Sequence, residues 1–153
     1  MDSSLSESAS QYLDALYDEY EHFDVQQTTL SVSREEFGAL ESGPDGAELH
    51  VRVEGSNGVL SVPDGDGWAL PGGLVDEEPK PETVAELIER QTGVRCEIDG
   101  LNRVSLVCLQ CDAVDRELWA LSALFSGTPI GGSARNGATW RERAKPGALV
   151  SAP

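Results

Sequence analysis

Apolar residues near the start of the chain recur at intervals of three and four, which is the spacing of one helical face. Ser4 and Glu7 also have the spacing of a capping box, in which each side chain bonds to the other's backbone N–H. The pattern predicts a helix from about Ser4 to Tyr20. Its apolar face contains Leu5, Ala9, Tyr12, Leu13, Leu16, Tyr17 and Tyr20. A tyrosine stripe is compatible with a base-binding pocket, but packing against a sheet or a partner subunit is the interpretation that we favour.

A β-prone stretch rich in Thr and Val follows at Val25–Val32. Ser33 and Glu36 form a second capping box and predict a short helix that ends at Gly43-Pro44. This front section is too small to hold a core alone. We therefore predict that residues 1–45 are a helix and strand extension packed on the rest of the protein.

Two alternating stretches, Glu48–Glu54 and Val59–Val62, are separated by a segment that contains Asn57-Gly58. Alternation places successive side chains on opposite faces of a strand, and Asn-Gly between two such runs is a strong hairpin signal. The pattern predicts an antiparallel pair of strands.

The next apolar run stops at Pro71-Gly72-Gly73, because proline fixes φ and glycine accepts angles that other residues resist. An acidic loop, Asp76-Glu77-Glu78, leads to a segment in which Val84 and Ile88 have helical spacing. Gly93 follows the last turn, where a left-handed residue closes a helix. The local order is strand, glycine turn, acidic loop and amphipathic helix.

Beyond this helix, the sequence predicts one or two strands between Arg95 and Cys111 and another over Glu117–Phe125. Gly127–Gly137 is interpreted as a glycine-rich loop, and it lacks the Lys-Ser/Thr that a P-loop requires. Trp140 is predicted to pack against the sheet.

The stretch from Gly67 to Val94 resembles the Nudix box, whose pattern is G-x5-E-x7-R-E-U-x-E-E-x-G-U, with U a bulky aliphatic residue. The typical glycine-tryptophan lead-in is present as Gly67-Trp68-Ala69-Leu70-Pro71-Gly72-Gly73. Counted from Gly72, the pattern places its first glutamate at Glu78, its mid-helix aliphatic at Ile88 and its closing glycine at Gly93. The family usually counts from the second glycine, here Gly73, which implies a loop that is one residue shorter.

The resemblance covers about two-thirds of the chain and implies an α/β (α+β) fold, a Nudix-like α/β/α sandwich with a mixed sheet. On this interpretation, the N-terminal helix is appended, residues 46–147 form the Nudix-like domain, and residues 148–153 are a tail. The implied parent chemistry is the hydrolysis of a nucleoside diphosphate linked to another group, assisted by Mg²⁺ or Mn²⁺.

The catalytic positions of the pattern fit poorly. Its helix glutamates would fall on Leu87, Arg90 and Gln91. Magnesium requires hard oxygen ligands, chiefly carboxylates. A leucine offers no lone pair, an arginine adds positive charge, and a glutamine is a weaker neutral ligand.

A shift of the helix register by one residue would place Glu86 and Glu89 at two ligand positions, with Glu78 and Glu82 as further candidates. The same shift would turn Val84 and Ile88 away from the core. Burial of each is worth about 1.5–3 kcal/mol, so we favour the unshifted register and interpret the glutamate stripe as a solvated face.

Two hypotheses about function follow from these positions. The favoured one is a weak or inactive relative of the hydrolases that retains binding of a nucleotide-like ligand or a protein partner. The alternative is an active hydrolase that uses a rearranged carboxylate site of Glu78, Glu86 and Glu89, with Asp76 and Glu77 as further ligands. A third interpretation, an unrelated α/β domain with an accidental match, has the least support.

The charge balance limits the partners. The chain has 11 Lys+Arg against 27 Asp+Glu, a formal net charge of −16, and its lysines are Lys80 and Lys145. Nucleic acid binding needs a basic face to meet phosphate, so we expect no nucleic acid partner. Acidic, lysine-poor composition resembles that of proteins from salt-accumulating halophilic archaea.

No apolar run approaches the ~20 residues that span a bilayer, and the first residues are polar and acidic. We therefore expect a cytoplasmic protein without a membrane partner, and we leave a homodimer open. Cys96, Cys108 and Cys111 are an odd set without a second C-x-x-C pair, which predicts free thiols.

Overall fold

The computed structural model describes residues 7–42, 47–75, 79–142 and 145–146. Its helices are α1 (Glu7–Glu19), α2 (Arg34–Ser42) and α3 (Pro81–Thr92). Its strands are β1 (Asp24–Ser31), β2 (Ala47–Gly55), β3 (Gly58–Asp64), β4 (Gly67–Leu70), β5 (Gly72–Val75), β6 (Val94–Gln110), β7 (Leu118–Gly132), β8 (Thr139–Arg141) and β9 (Lys145–Pro146).

The described strands form one open mixed sheet in the order β1-β6-β7-β2-β3-β4-β9, with β5 added to β2 and β8 added to β3. The pairs β1–β6 and β2–β7 are parallel, whereas β6–β7 and β2–β3 are antiparallel. This mixed α/β arrangement with an appended N-terminal helix confirms the predicted fold class. The predicted hairpin is also confirmed, because Gly55 pairs with Gly58 across its turn.

Of the predictions after α3, one was confirmed and one was wrong. Residues 94–110 form one long strand with irregularities, which confirms the first of the two alternatives, one or two strands. β7 continues through Gly132, where a loop was expected. The two strands pair along almost their whole length, from Leu109↔Leu118 to Val94↔Gly132. This pairing overrides the low strand propensity of the glycines in β7.

One hydrophobic core lies between the sheet and the helices α1 and α3. Tyr12 and Leu16 of α1 are buried in it, as is Tyr20, which directly follows α1. The packing interpretation of the tyrosine stripe is therefore confirmed, although Tyr17 is 56% exposed. The hydroxyl of Tyr20 donates a hydrogen bond to the carbonyl oxygen of Pro79 at 2.7 Å and so links the end of α1 to the start of α3. Trp140 packs against this core, as predicted.

The capping box at α2 is confirmed. The Ser33 hydroxyl accepts from the N–H of Glu36, and the Glu36 carboxylate accepts from the N–H of Ser33, both at 3.1 Å. Phe37 of this helix is buried outside the main core, and the Arg116 guanidinium lies 5.6 Å from its ring centroid. The first capping box includes Ser4, which lies outside the described residues, as do Gly43-Pro44.

Helix α1 and strand β1 belong to the predicted extension, residues 1–45. Helix α1 packs in the main core, and β1 pairs in the main sheet. The boundary between this extension and the rest of the chain stays a prediction. Cys96, Cys108 and Cys111 are buried and free, as predicted. Within the described residues, no helix is both long enough and apolar enough to cross a membrane.

Candidate functional site

The glycine turn of the box connects β4 to β5 and places β5 against β2. The carbonyl oxygen of Pro71 accepts a hydrogen bond from the N–H of Val51 at 3.0 Å, and Gly72 then pairs with His50. Gly72 has φ +150°, and a Cβ there would overlap the backbone carbonyl of Leu49. The close approach of two backbones therefore requires glycine at this position.

Helix α3 has the unshifted register. Val84 and Ile88 are buried at 1% and 0% exposure and face the core. The N–H of Gly93, at φ 82°, donates to the carbonyl oxygen of Glu89 at 2.8 Å and ends the helix. Thr92 strengthens this end, because its buried hydroxyl donates to the Ile88 carbonyl at 2.7 Å and accepts from the Val94 N–H at 3.1 Å.

In this register, none of the three helix positions that carry metal ligands in the Nudix pattern has a carboxylate. Leu87 is partly buried and packs against the core. Arg90 is exposed in the last turn of α3. The side-chain oxygen of Gln91 accepts a hydrogen bond from the backbone N–H of Gly72 at 2.8 Å. The sequence indicated that Gln91 is a poor ligand but did not reveal this contact, which depends on the approach of residues 19 positions apart.

The acidic candidates form a separate ridge on the outside of α3. Glu82, Glu86 and Glu89 are all exposed, and their spacing of four and three places them on one side of the helix. Glu78, together with Asp76 and Glu77, lies outside the described residues. Among the described residues, no group of three or more His, Cys, Asp or Glu side chains is placed to hold a metal ion.

Leu87, Arg90 and Gln91 do not fit the divalent ion that the resemblance implies. A magnesium or manganese site needs several converging oxygen ligands. At the three helix positions of the pattern, the one oxygen ligand is the Gln91 amide, which is already bonded to Gly72. The neighbouring guanidinium of Arg90 would repel a cation.

His50 lies beside the turn, because β2 pairs with β5 there. It is 6% exposed, and its Nδ1 is buried without a hydrogen-bond partner in the described part of the chain. Burial lowers the pKa of His50, and the nearby charge of Asp64 partly opposes this shift. The imidazole is therefore held neutral at the edge of the site.

A basic residue that the sequence analysis missed lies beside the tryptophan of the lead-in. Arg141 belongs to β8, and its guanidinium carbon is 4.8 Å from the centroid of the Trp68 ring. The segment just before the lead-in is acidic, with Asp64 and Asp66, so no local signal indicated a cation here. β8 brings Arg141 close through its pairing with β3.

No protein-family model and no curated protein matches the chain. Among solved structures, it is similar to a UDP-X diphosphatase at 18% sequence identity, with a TM-score of 0.42. The alignment covers 69% of this chain and 54% of that chain, so the chain spans about half the length of this structure.

Proposed function

We propose that this chain is a Nudix-type domain that binds a phosphorylated, nucleotide-like ligand without hydrolysing it. The observation that carries the proposal is the hydrogen bond from the Gly72 N–H to the Gln91 side chain. It gives a structural role to a side chain whose counterpart in the Nudix pattern binds metal. A bound divalent ion would have to compete with this contact and would find no carboxylate at Leu87 or Arg90.

Arg90 supplies the reason to expect an anionic ligand. Its exposed guanidinium makes no ion pair within the described part of the chain. A guanidinium forms strong, charge-assisted hydrogen bonds to phosphate oxygens. It therefore neutralises a phosphate group as a metal ion would, but it does not generate the metal-bound hydroxide that attacks the phosphoanhydride. Arg90 thus accounts for binding without turnover.

The first test is ligand binding in molar KCl with a panel of nucleoside diphosphates and their conjugates, read out as a shift in melting temperature. We expect a shift for the wild-type protein, loss of the shift in Arg90→Gln, and retention in Arg34→Gln, which removes an exposed arginine on α2. The same samples are assayed for release of phosphate or nucleoside monophosphate with Mg²⁺ or Mn²⁺. Metal-dependent turnover that is lost in Glu86→Gln or Glu89→Gln would establish the rearranged hydrolase site instead.

The second test restores carboxylates at two of the three positions. The double substitution Arg90→Glu/Gln91→Glu adds two oxygen ligands at the end of α3, beside the Gly72 turn. We expect calorimetric titration with Mn²⁺ to show binding in the double variant and none in the wild-type protein at the same concentration. Equal Mn²⁺ binding by both proteins would contradict the proposal.

A further inference from the structure

Strand β1 forms one open edge of the sheet. Among the described strands, its one neighbour is β6, with which it pairs in parallel from Asp24↔Arg103 to Ser31↔Gln110. Every residue of β1 except Leu30 is exposed. An edge strand presents unpaired N–H and C=O groups, which are a template for the addition of another strand.

The direction of these groups follows from one hydrogen bond. The N–H of Val32 donates to the carbonyl oxygen of Gln110 in β6 at 2.8 Å. Backbone groups of alternate residues in a strand point to opposite sides. The N–H and C=O groups that face the open edge therefore belong to Val25, Gln27, Thr29 and Ser31.

The edge lacks the features that usually protect it. Natural edge strands carry charges, proline or bulges that prevent pairing. In a chain with 25% charged residues and a net charge of −16, no charged residue occurs from Val25 to Ser33. The strand also has no proline, and its register with β6 is unbroken. Asp24, the first residue of β1, is charged, but antiparallel pairing places the Asp24 residues of two copies at opposite ends of the paired strands. Two copies of this acidic protein can therefore approach each other along Val25–Ser31 without bringing like charges into contact there.

Exposed apolar side chains lie next to the start of this edge. Tyr17 of α1 is 56% exposed, and its ring centroid lies 5.2 Å from that of Phe23. Val25, the second residue of β1, is 43% exposed. These side chains add apolar area that a second chain would cover.

We propose that β1 pairs antiparallel with β1 of a second copy of this chain, so that two sheets join across a two-fold axis. A strand that meets itself in this way is self-complementary, since each contact occurs twice. The exposed Gln and Thr side chains bond across the two strands, and Tyr17 and Val25 are covered at both ends. From Val25 to Ser31 the strand has no charge that would attract a partner of opposite charge, so we take a second copy of this chain as the partner. This dimer is independent of the ligand proposed for the box.

The molar mass in molar KCl, measured by light scattering or sedimentation, tests the proposal. We expect a dimer for the wild-type protein and a monomer for Thr29→Pro, because proline removes an N–H at the open edge but no bond to β6. Thr29→Ala keeps the N–H and should remain dimeric. Circular dichroism of Thr29→Pro checks that the fold is intact. A wild-type monomer at all concentrations, or a dimer that Thr29→Pro leaves unchanged, would overturn the proposal.

Cysteine cross-linking locates the axis. The three native cysteines are buried, so single cysteines placed from Val25 to Ser31 are the accessible thiols under mild oxidation. A disulfide needs Cα atoms about 4.4–6.8 Å apart. We therefore expect covalent dimers only at one or two neighbouring positions within β1, and none for the control Leu40→Cys on α2. Equal cross-linking at Leu40→Cys, or none along β1, would contradict the strand pairing. Any dimer would then form through another surface.

Discussion

Gln91, in the last turn of α3, accepts a hydrogen bond from the backbone N–H of Gly72 at 2.8 Å. This contact ties the end of the helix to the glycine turn that precedes β5. The resemblance to the Nudix pattern places a metal-binding glutamate at the position of Gln91. In this chain, the Gln91 side chain holds the backbone of the glycine turn instead.

Replacement of Gln91 tests this structural role. Gln91→Met keeps the side-chain size and removes the acceptor, so the Gly72 N–H loses its partner. We expect the free energy of unfolding to fall by about 1–2 kcal/mol. Gln91→Glu keeps an acceptor oxygen and should retain most of the stability. Urea unfolding of both variants in molar KCl provides the measurement, and equal stability of Gln91→Met and wild type would show that the contact contributes nothing.

The paired glycines of the box are a second, internally controlled test. Both have positive φ, 150° at Gly72 and 156° at Gly73, but a Cβ meets the Leu49 carbonyl only at Gly72 and nothing at Gly73. We expect Gly73→Ala to cost about 1–3 kcal/mol through backbone strain. Gly72→Ala adds overpacking of about 1–3 kcal/mol. Thermal unfolding of the two variants should rank them in this order, and the opposite order would contradict the close approach of β5 to β2.

Local spacing explains which elements the sequence could predict. The face of α1, the buried residues Val84 and Ile88 of α3, and the capping box at Ser33 depend on residues a few positions apart. Glycine at the end of α3 and in the β2–β3 hairpin adopts backbone angles that other residues resist, so its position indicates where an element ends. These features were confirmed because their physical causes lie within short segments.

Long-range pairing explains what the sequence could not predict. The glycines at the end of β7 are in a strand because β6 runs beside them. His50 and Arg141 lie near the box because β2 pairs with β5 and β8 pairs with β3. The spacing of the box predicted the position of Gln91 on α3, but its contact with Gly72 depends on how the turn folds back. Single-sequence periodicity contains no signal for such contacts.

His50 gives a prediction about pH. Burial lowers its pKa in the folded state below the ordinary value of 6.5, so the unfolded state binds the proton more readily. Stability should therefore be fully present above pH 6.5 and should decrease as the pH falls through the interval between the two pKa values.

A variant isolates this effect from the many carboxylates. His50→Gln removes the titrating group, so its free energy of unfolding should fall less than that of the wild-type protein between pH 7.5 and 5.0. His22→Gln is the matched control, because the His22 side chain is 92% exposed. Parallel curves for wild type and His50→Gln would contradict the buried, neutral imidazole.

The net charge of −16 gives the last prediction. Like charges on the folded surface repel one another, and salt screens this repulsion over about 10 Å at 0.1 M and about 3 Å at 1 M. Dialysis from molar to millimolar KCl should therefore lower the melting temperature sharply.

The ridge of Glu82, Glu86 and Glu89 contributes to this dependence on salt, since like charges one turn apart destabilise a helix. Replacement of all three by glutamine should reduce the dependence on salt. Because salt also favours association of acidic copies, the series is best measured in the Thr29→Pro background. A melting temperature independent of salt in that background would refute the halophilic interpretation of the composition.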